Sequence, residues 1–132
     1  MIMCQTISHD NYDYIKRLLP QFDTLPEKEN VLLPMPVMDC WVKIQQKGVS
    51  VMRLEIAFYE KYKEEPDHKM QIKVNLLEHT AEPESIWFKC RGSTKVRNPK
   101  IGIDHAILKV QQITLKRWLE PVLNAHAALP IL

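Results

Sequence analysis

The chain has 132 residues, 45% hydrophobic and 26% charged, and its 18 basic and 16 acidic side chains leave a formal charge of +2. That composition fits a single globular domain over residues 1–132 and excludes a disordered chain, while the near balance of charge sets it apart from strongly basic nucleic-acid-binding domains. With only three glycines and neither a GxGxxG nor a GxxxxGK(S/T) run, a phosphate-cradling loop is excluded, and no stretch approaches the ~20 apolar residues of a membrane-spanning helix.

The N-terminal run MIMCQTISHD lacks the basic segment and long apolar core of a secretory signal, so a water-soluble cytoplasmic protein is expected. Cys4, Cys40 and Cys90 are odd in number and widely spaced, with no CxxC. They are expected to be reduced and mostly buried thiols.

In chain order, the first expected element is a short helix capped by Ser8 or Asp10, whose side-chain oxygens can accept the first free N–H groups. Tyr12, Ile15, Leu18 and Leu19 recur at helical spacing, and Pro20 ends the run because proline disfavours helical backbone before it. Residues 20–37 hold Pro20, Pro26, Pro34 and Pro36 and are expected to form a long ordered loop.

Four strands are expected next: Asp39–Gln46, Val51–Tyr59, Met70–Leu77 and Ile86–Arg91. The second is the clearest, with Met52, Leu54, Ile56 and Phe58 facing one way and Arg53, Glu55, Ala57 and Tyr59 the other. One apolar and one polar face per strand describe an antiparallel sheet covered on one side. Short connections favour hairpins. The last helix is expected to start at the cap Asp104, with Ile107, Val110, Trp118 and Val122 on its apolar stripe. It is expected to kink or break at Glu120–Pro121 before a turn over Asn124–Ala128. The expected fold is therefore α+β: an N-terminal helix, a four-stranded antiparallel meander, and a long C-terminal helix packed on one sheet face.

The five histidines include no i, i+4 pair and no HExxH, so no metal site is expected. Asp67-His68, Glu78-His79 and Asp104-His105 place an acid before a histidine, but adjacent residues on a strand or helix point apart, so loop and cap roles are expected for them. Cys90 alternates with Lys89 and Arg91 and is read as a core thiol. The local feature that points to a partner is basic: Lys89, Arg91, Lys95, Arg97 and Lys100 follow Trp87 closely. On one surface they would form a cationic patch beside an indole, suited to phosphate or nucleic acid. The same lysines would serve equally to protect a sheet edge.

Three sequence runs add a resemblance. NYDYIKRLLP (Asn11–Pro20) has an asparagine–aromatic opening and a Leu-Leu-Pro end. MQIKVNLLEHTAE carries Met70, Lys73 and Ala81-Glu82. ITLKRWLEPVLNAHAAL carries Leu115, Trp118, Leu119 and Leu123. In this order and spacing the chain resembles the YqiB-like family of bacterial proteins of unknown function. It departs from that family at Asn75, Leu76 and Leu77, where the family has Tyr-His-Asp, and in lacking the Asp-Glu-Lys triplet before the last helix. The resemblance implies the order of elements and a bacterial cytoplasmic setting, and it implies no catalytic residue.

Three functional readings emerge. With no convergent catalytic set and no cofactor motif, the first is a non-enzymatic binding or accessory protein with a protein partner. The second is a binder of nucleic acid or a phosphate ligand through Trp87, Lys89, Arg91, Lys95, Arg97 and Lys100. The third is a small enzyme, which a cleft holding Glu55, Lys73 and a histidine would favour.

Overall fold

The computed structural model describes residues 2–126, with side chains from residue 7 onward. The chain opens with α1 (Ile2–Leu18). Ser8 and Asp10 lie inside this helix rather than at its start, because nothing in Ile2–Ile7 breaks a helix and each added residue gains one backbone bond. Pro20 ends it as expected: the Leu19 N–H still donates to the Ile15 carbonyl at 2.9 Å, and Pro20 has no N–H to give. A single 3-10 turn, Phe22–Thr24, then drops Phe22 into the core edge-on to Tyr12, ring centroids 5.9 Å apart.

Six strands follow: β1 (Asn30–Pro34), β2 (Met38–Lys47), β3 (Val51–Glu60), β4 (His68–Asn75), β5 (Thr80–Phe88) and β6 (Gly92–Lys95). They form one antiparallel sheet in chain order, and β7 (Arg97–Asn98) and β8 (Gly102–Ile103) make a separate two-stranded ribbon. The α+β class stands, but the expected four-stranded meander is corrected to six strands plus this ribbon.

Two prolines explain two of the missed strand segments, β1 and the first half of β5. β1 lies within the expected loop; its Leu33 and Val31 pair with Cys40 and Val42. Pro34 falls on the last residue of this edge strand, where a lost ladder bond costs little. β5 starts at Thr80, not Ile86, and runs through Pro83. At that point Gln71 faces Ser85 and Ile72 faces Pro83, so Glu84 is an extra, bulged residue. β6 pairs only with Ser85–Phe88, which leaves Pro83 on an unflanked stretch of edge. β5 also ends early, at Phe88. Lys89–Arg91 form the turn into β6 instead of extending the strand, and Gly92 takes the positive φ of 76° that lets the chain reverse.

The alternation within the strands is as expected. Met52, Leu54, Ile56 and Phe58 from β3 and Met70, Ile72 and Val74 from β4 are buried together. This face is covered by α1 and by α2 (His105–His126), which pack on each other and on β5. Asp104 caps α2, its Oδ1 accepting the N–H groups of Ala106 and Ile107 at 3.1 Å each. The expected break at Pro121 does not occur: α2 continues to His126. Pro121 itself is exposed, while Leu119, Val122 and Leu123 around it are buried and hold both halves on the sheet. That packing offsets the ~3 kcal/mol cost of an internal proline. Of the expected final turn, Asn124–His126 are helical, and Ala127–Ala128 lie outside the described residues.

Candidate functional site

The helices occupy one face of the sheet and leave the other open. A single row of opposed residues crosses that open face from edge to edge: Leu32, Trp41, Ala57, Lys69, Trp87 and Ser93. Leu32 is 41% exposed, whereas Ala57 is only 3% exposed although no helix lies above it. Its cross-strand neighbours are Trp41 and Lys69, side chains long enough to lean over a methyl group. The Lys69 Nζ lies 5.4 Å from the Trp87 ring centre.

Several charges on this face are matched in pairs. Lys69 Nζ is 3.6 Å from Glu55 Oε2, which also accepts the Gln71 Nε2 donor at 2.7 Å. Arg53 forks onto Glu84 at 2.9 and 3.3 Å and reaches Gln46 Oε1 at 3.0 Å. Lys61 pairs with Asp39. Burial pushes the Tyr59 hydroxyl pKa up, and the nearby Glu55 charge adds to this. Tyr59, Trp41, Asp39 and Tyr62 border a hollow of about 260 Å³ at one end of the face.

The six residues of the expected basic patch are distributed around the fold. Trp87 and Lys95 remain on the open face, opposite Ser93 and Ser85. Lys89 is in the turn after β5, its N–H bonded to the Asp67 carbonyl at 3.0 Å. Arg91 turns to the helix side, its guanidinium 4.5 Å from the Phe88 ring centre. Arg97, on β7, lines a cleft of about 120 Å³ with Lys73, Glu82 and Glu84. Lys100 is in the β7–β8 turn, where its N–H donates to Asn98 Oδ1 at 2.8 Å. The strand ends at Phe88, so period two no longer holds Lys89 and Arg91 beside Trp87.

The acid–histidine pairs take three different forms. Asp67 and His68 do meet, Oδ2 to Nδ1 at 2.8 Å, because Asp67 precedes β4 and escapes the strand's alternation. The His68 ring is stacked on Phe58 at 4.8 Å and lies 4.4 Å from Trp118. His79 sits in a turn at φ 58°, stacked on Tyr12 at 4.9 Å. Asp104 is a helix cap and His105 is exposed. Among the described residues no three His, Cys, Asp or Glu side chains gather as metal ligands. Cys40 is fully buried, and burial pushes its thiol up to about 12. Cys90 is exposed, not in the core, because it falls in the turn beyond β5. The Cys4 side chain lies outside the described residues.

The sequence reasoning missed a second hollow. An apolar groove of about 440 Å³ lies between the β5–β6 turn and the first turns of α2, lined by Ile86, Phe88, Arg91, Ile107, Val110 and Gln111 among others. Its sequence signal is the pair Gln111-Gln112 inside an otherwise apolar helical face. Both glutamines are buried, as is Asn11 on α1. Asn11 Nδ2 donates to the Gln112 carbonyl at 3.1 Å and so joins the two helices.

No protein-family model, curated protein or solved structure matches this chain. No described helix is long and apolar enough to cross a membrane.

Proposed function

We propose that this chain is a non-enzymatic binding protein of the bacterial cytoplasm that engages a protein partner through the open face of its sheet. The supporting observation is the row from Leu32 through Trp41, Ala57 and Lys69 to Trp87, an aromatic and aliphatic line across an uncovered face. Tryptophan, tyrosine and arginine dominate the energetics of protein interfaces, usually near their centre with charged groups at the rim. Six strands give a face roughly 24 Å wide and about 30 Å long at its centre, close to the ~800 Å² that each partner contributes to a standard interface. The free Cys40 and Cys90 suit a reducing compartment.

A polyanion fits this face less well. Arg53, Lys61 and Lys69 are already paired with carboxylates, so the field above the sheet is not of one sign. The likeness to the YqiB-like family is a separate proposal that rests on the sequence runs alone.

The test places a photo-crosslinking residue at Leu32 and, as a control, at Val49 in the β2–β3 turn, in the native host. A discrete adduct from position 32 that disappears in Trp41→Ala, with none from position 49, supports the proposal. The competing reading is tested by titrating single-stranded oligonucleotide at low salt. Saturable binding that weakens steeply with salt and quenches tryptophan emission would transfer the face to nucleic acid.

A further inference from the structure

The row that crosses the open face places its two tryptophans symmetrically. Trp41 stands one strand in from the β1 edge and Trp87 one strand in from the β6 edge, so the midpoint falls between Ala57 on β3 and Lys69 on β4. The neighbouring row on the same face runs Asn30, Lys43, Glu55, Gln71, Ser85 and Lys95, with its midpoint between the same two strands.

Charge decides between the two ways in which this patch can meet its own copy. A two-fold axis lying across the strands would set Lys69 on the partner's Lys69. An axis along the strands, between β3 and β4, sets Trp41 on the partner's Trp87 and Ala57 beneath the partner's Lys69. In the neighbouring row Glu55 then meets the partner's Gln71. Lys43 and Lys95 pair with no carboxylate among the described residues. They meet the partner's Ser85 and Asn30, whose side-chain oxygens accept N–H donors. No like charges coincide in these two rows. Arg53 and the partner's Lys73 do meet one row further out, but Arg53 is already forked onto Glu84 and Lys73 faces Glu82 on the next strand.

We propose that the protein covering the open face is a second copy of this chain, related by a two-fold axis along β3 and β4, with the helices on the outside of a two-layer sandwich. Packed sheets keep their strands within about 30° of each other, which suits such an axis. A two-fold interface uses one patch twice. The face would therefore bury about 1,400 Å² in all, within the roughly 1,200–2,000 Å² of stable interfaces. This inference rests on the reading of the face as a protein interface and names the partner.

Sedimentation of the purified protein over a concentration series should show a reversible dimer with twice the mass of the chain. Trp41→Ala removes the same indole contact twice and should weaken the dimer by about thirtyfold or more, as loss of a central interface tryptophan does. Trp87→Ala should do the same, and Val49→Arg, in the β2–β3 turn, should leave the dimer unchanged. Far-UV circular dichroism checks that each variant keeps its fold. A photo-crosslinking residue at Leu32 should join the partner's β6, around Ser93. Ser93 of the same chain lies across the whole sheet, roughly 24 Å away, so that adduct forms only between copies. A monomer up to millimolar protein, a dimer indifferent to both tryptophan variants, or an adduct joining Leu32 to the partner's β1 would overturn the inference. A monomer whose Leu32 crosslinks to a different protein overturns it and leaves the protein-interface reading standing, whereas a monomer with no adduct at all defeats both.

Discussion

The Nδ1 of His68 lies 2.8 Å from the Oδ2 of Asp67, its neighbour in sequence, while its ring packs 4.4 Å from Trp118 on α2. A carboxylate only accepts, so Nδ1 carries the proton. The pair orients an imidazole that stitches β4 to the last helix through Phe58 and Trp118. His68→Ala removes its two closest ring contacts, to Phe58 and Trp118, and should cost about 1–3 kcal/mol, at roughly 0.5–1.5 kcal/mol for each aromatic pair. His68→Phe keeps a ring in place and should cost less than half as much. Urea melts with an unchanged slope check both values.

The register of β4 makes a second prediction. Ile72 is fully buried and Lys73 is half-exposed on the opposite face. Ile72→Ala should cost about 2–5 kcal/mol through lost burial and a cavity, whereas Lys73→Ala should cost under ~0.5 kcal/mol, as surface changes usually do. Equal losses in thermal melts would contradict the alternation.

The described thiols should differ sharply in reactivity. Cys90 is exposed in the turn after β5, whereas Cys40 is buried with its pKa pushed up to about 12. A thiol-specific reagent at neutral pH should label Cys90 within minutes in the native protein. It should reach Cys40 only after denaturant is added, because the thiolate is the reacting species. Peptide mapping of the labelled protein distinguishes the two sites.

A fourth prediction concerns pH. Lys116 on α2 bonds Asp10 on α1 at 3.0 Å, and chiefly through that bond its pKa is raised. A raised folded-state pKa means that the bonded ammonium stabilises the protein from neutral pH up to the ordinary lysine range and loses that contribution as pH climbs through the raised value. Because both side chains are about a third exposed, the contribution should be modest, about 0.2–1 kcal/mol, and should fall with salt. Wild type and Lys116→Met should therefore differ in stability at pH 7 and converge in strongly alkaline buffer.

The parts of the fold legible in the sequence were those in which one signal acted alone. β3 alternates cleanly over Val51–Glu60, and its two faces read directly as core and surface. Asp104 stands immediately before an apolar helical run and caps it. Legibility failed where proline conflicted with a tertiary partner. β1 forms beside its own Pro34 because β2 supplies the ladder, and β5 admits Pro83 because a bulge and an unflanked edge absorb it. α2 passes Pro121 because buried leucines grip it on either side. The open-face row was not legible because it joins residues from six strands and depends on registers that no local pattern reveals. The groove was hidden for a different reason: Gln111 looks like a surface residue until the Thr94 carbonyl is placed beside it.

The contact between Asn11 and Gln112, 101 residues apart, has a consequence for how the molecule is made. A ribosome delivers α1 before the sheet and α2 after it, so the helix pair that shields the sheet cannot assemble until all six strands have emerged. In the interval the meander can zip hairpin by hairpin, since each strand pairs with the next, but its apolar side stands half-covered. Closing the ends of so long a loop is entropically slow compared with local pairing. The nascent sheet is then the species most exposed to aggregation, and a chain stalled before α2 should be a substrate for chaperones that hold apolar surface.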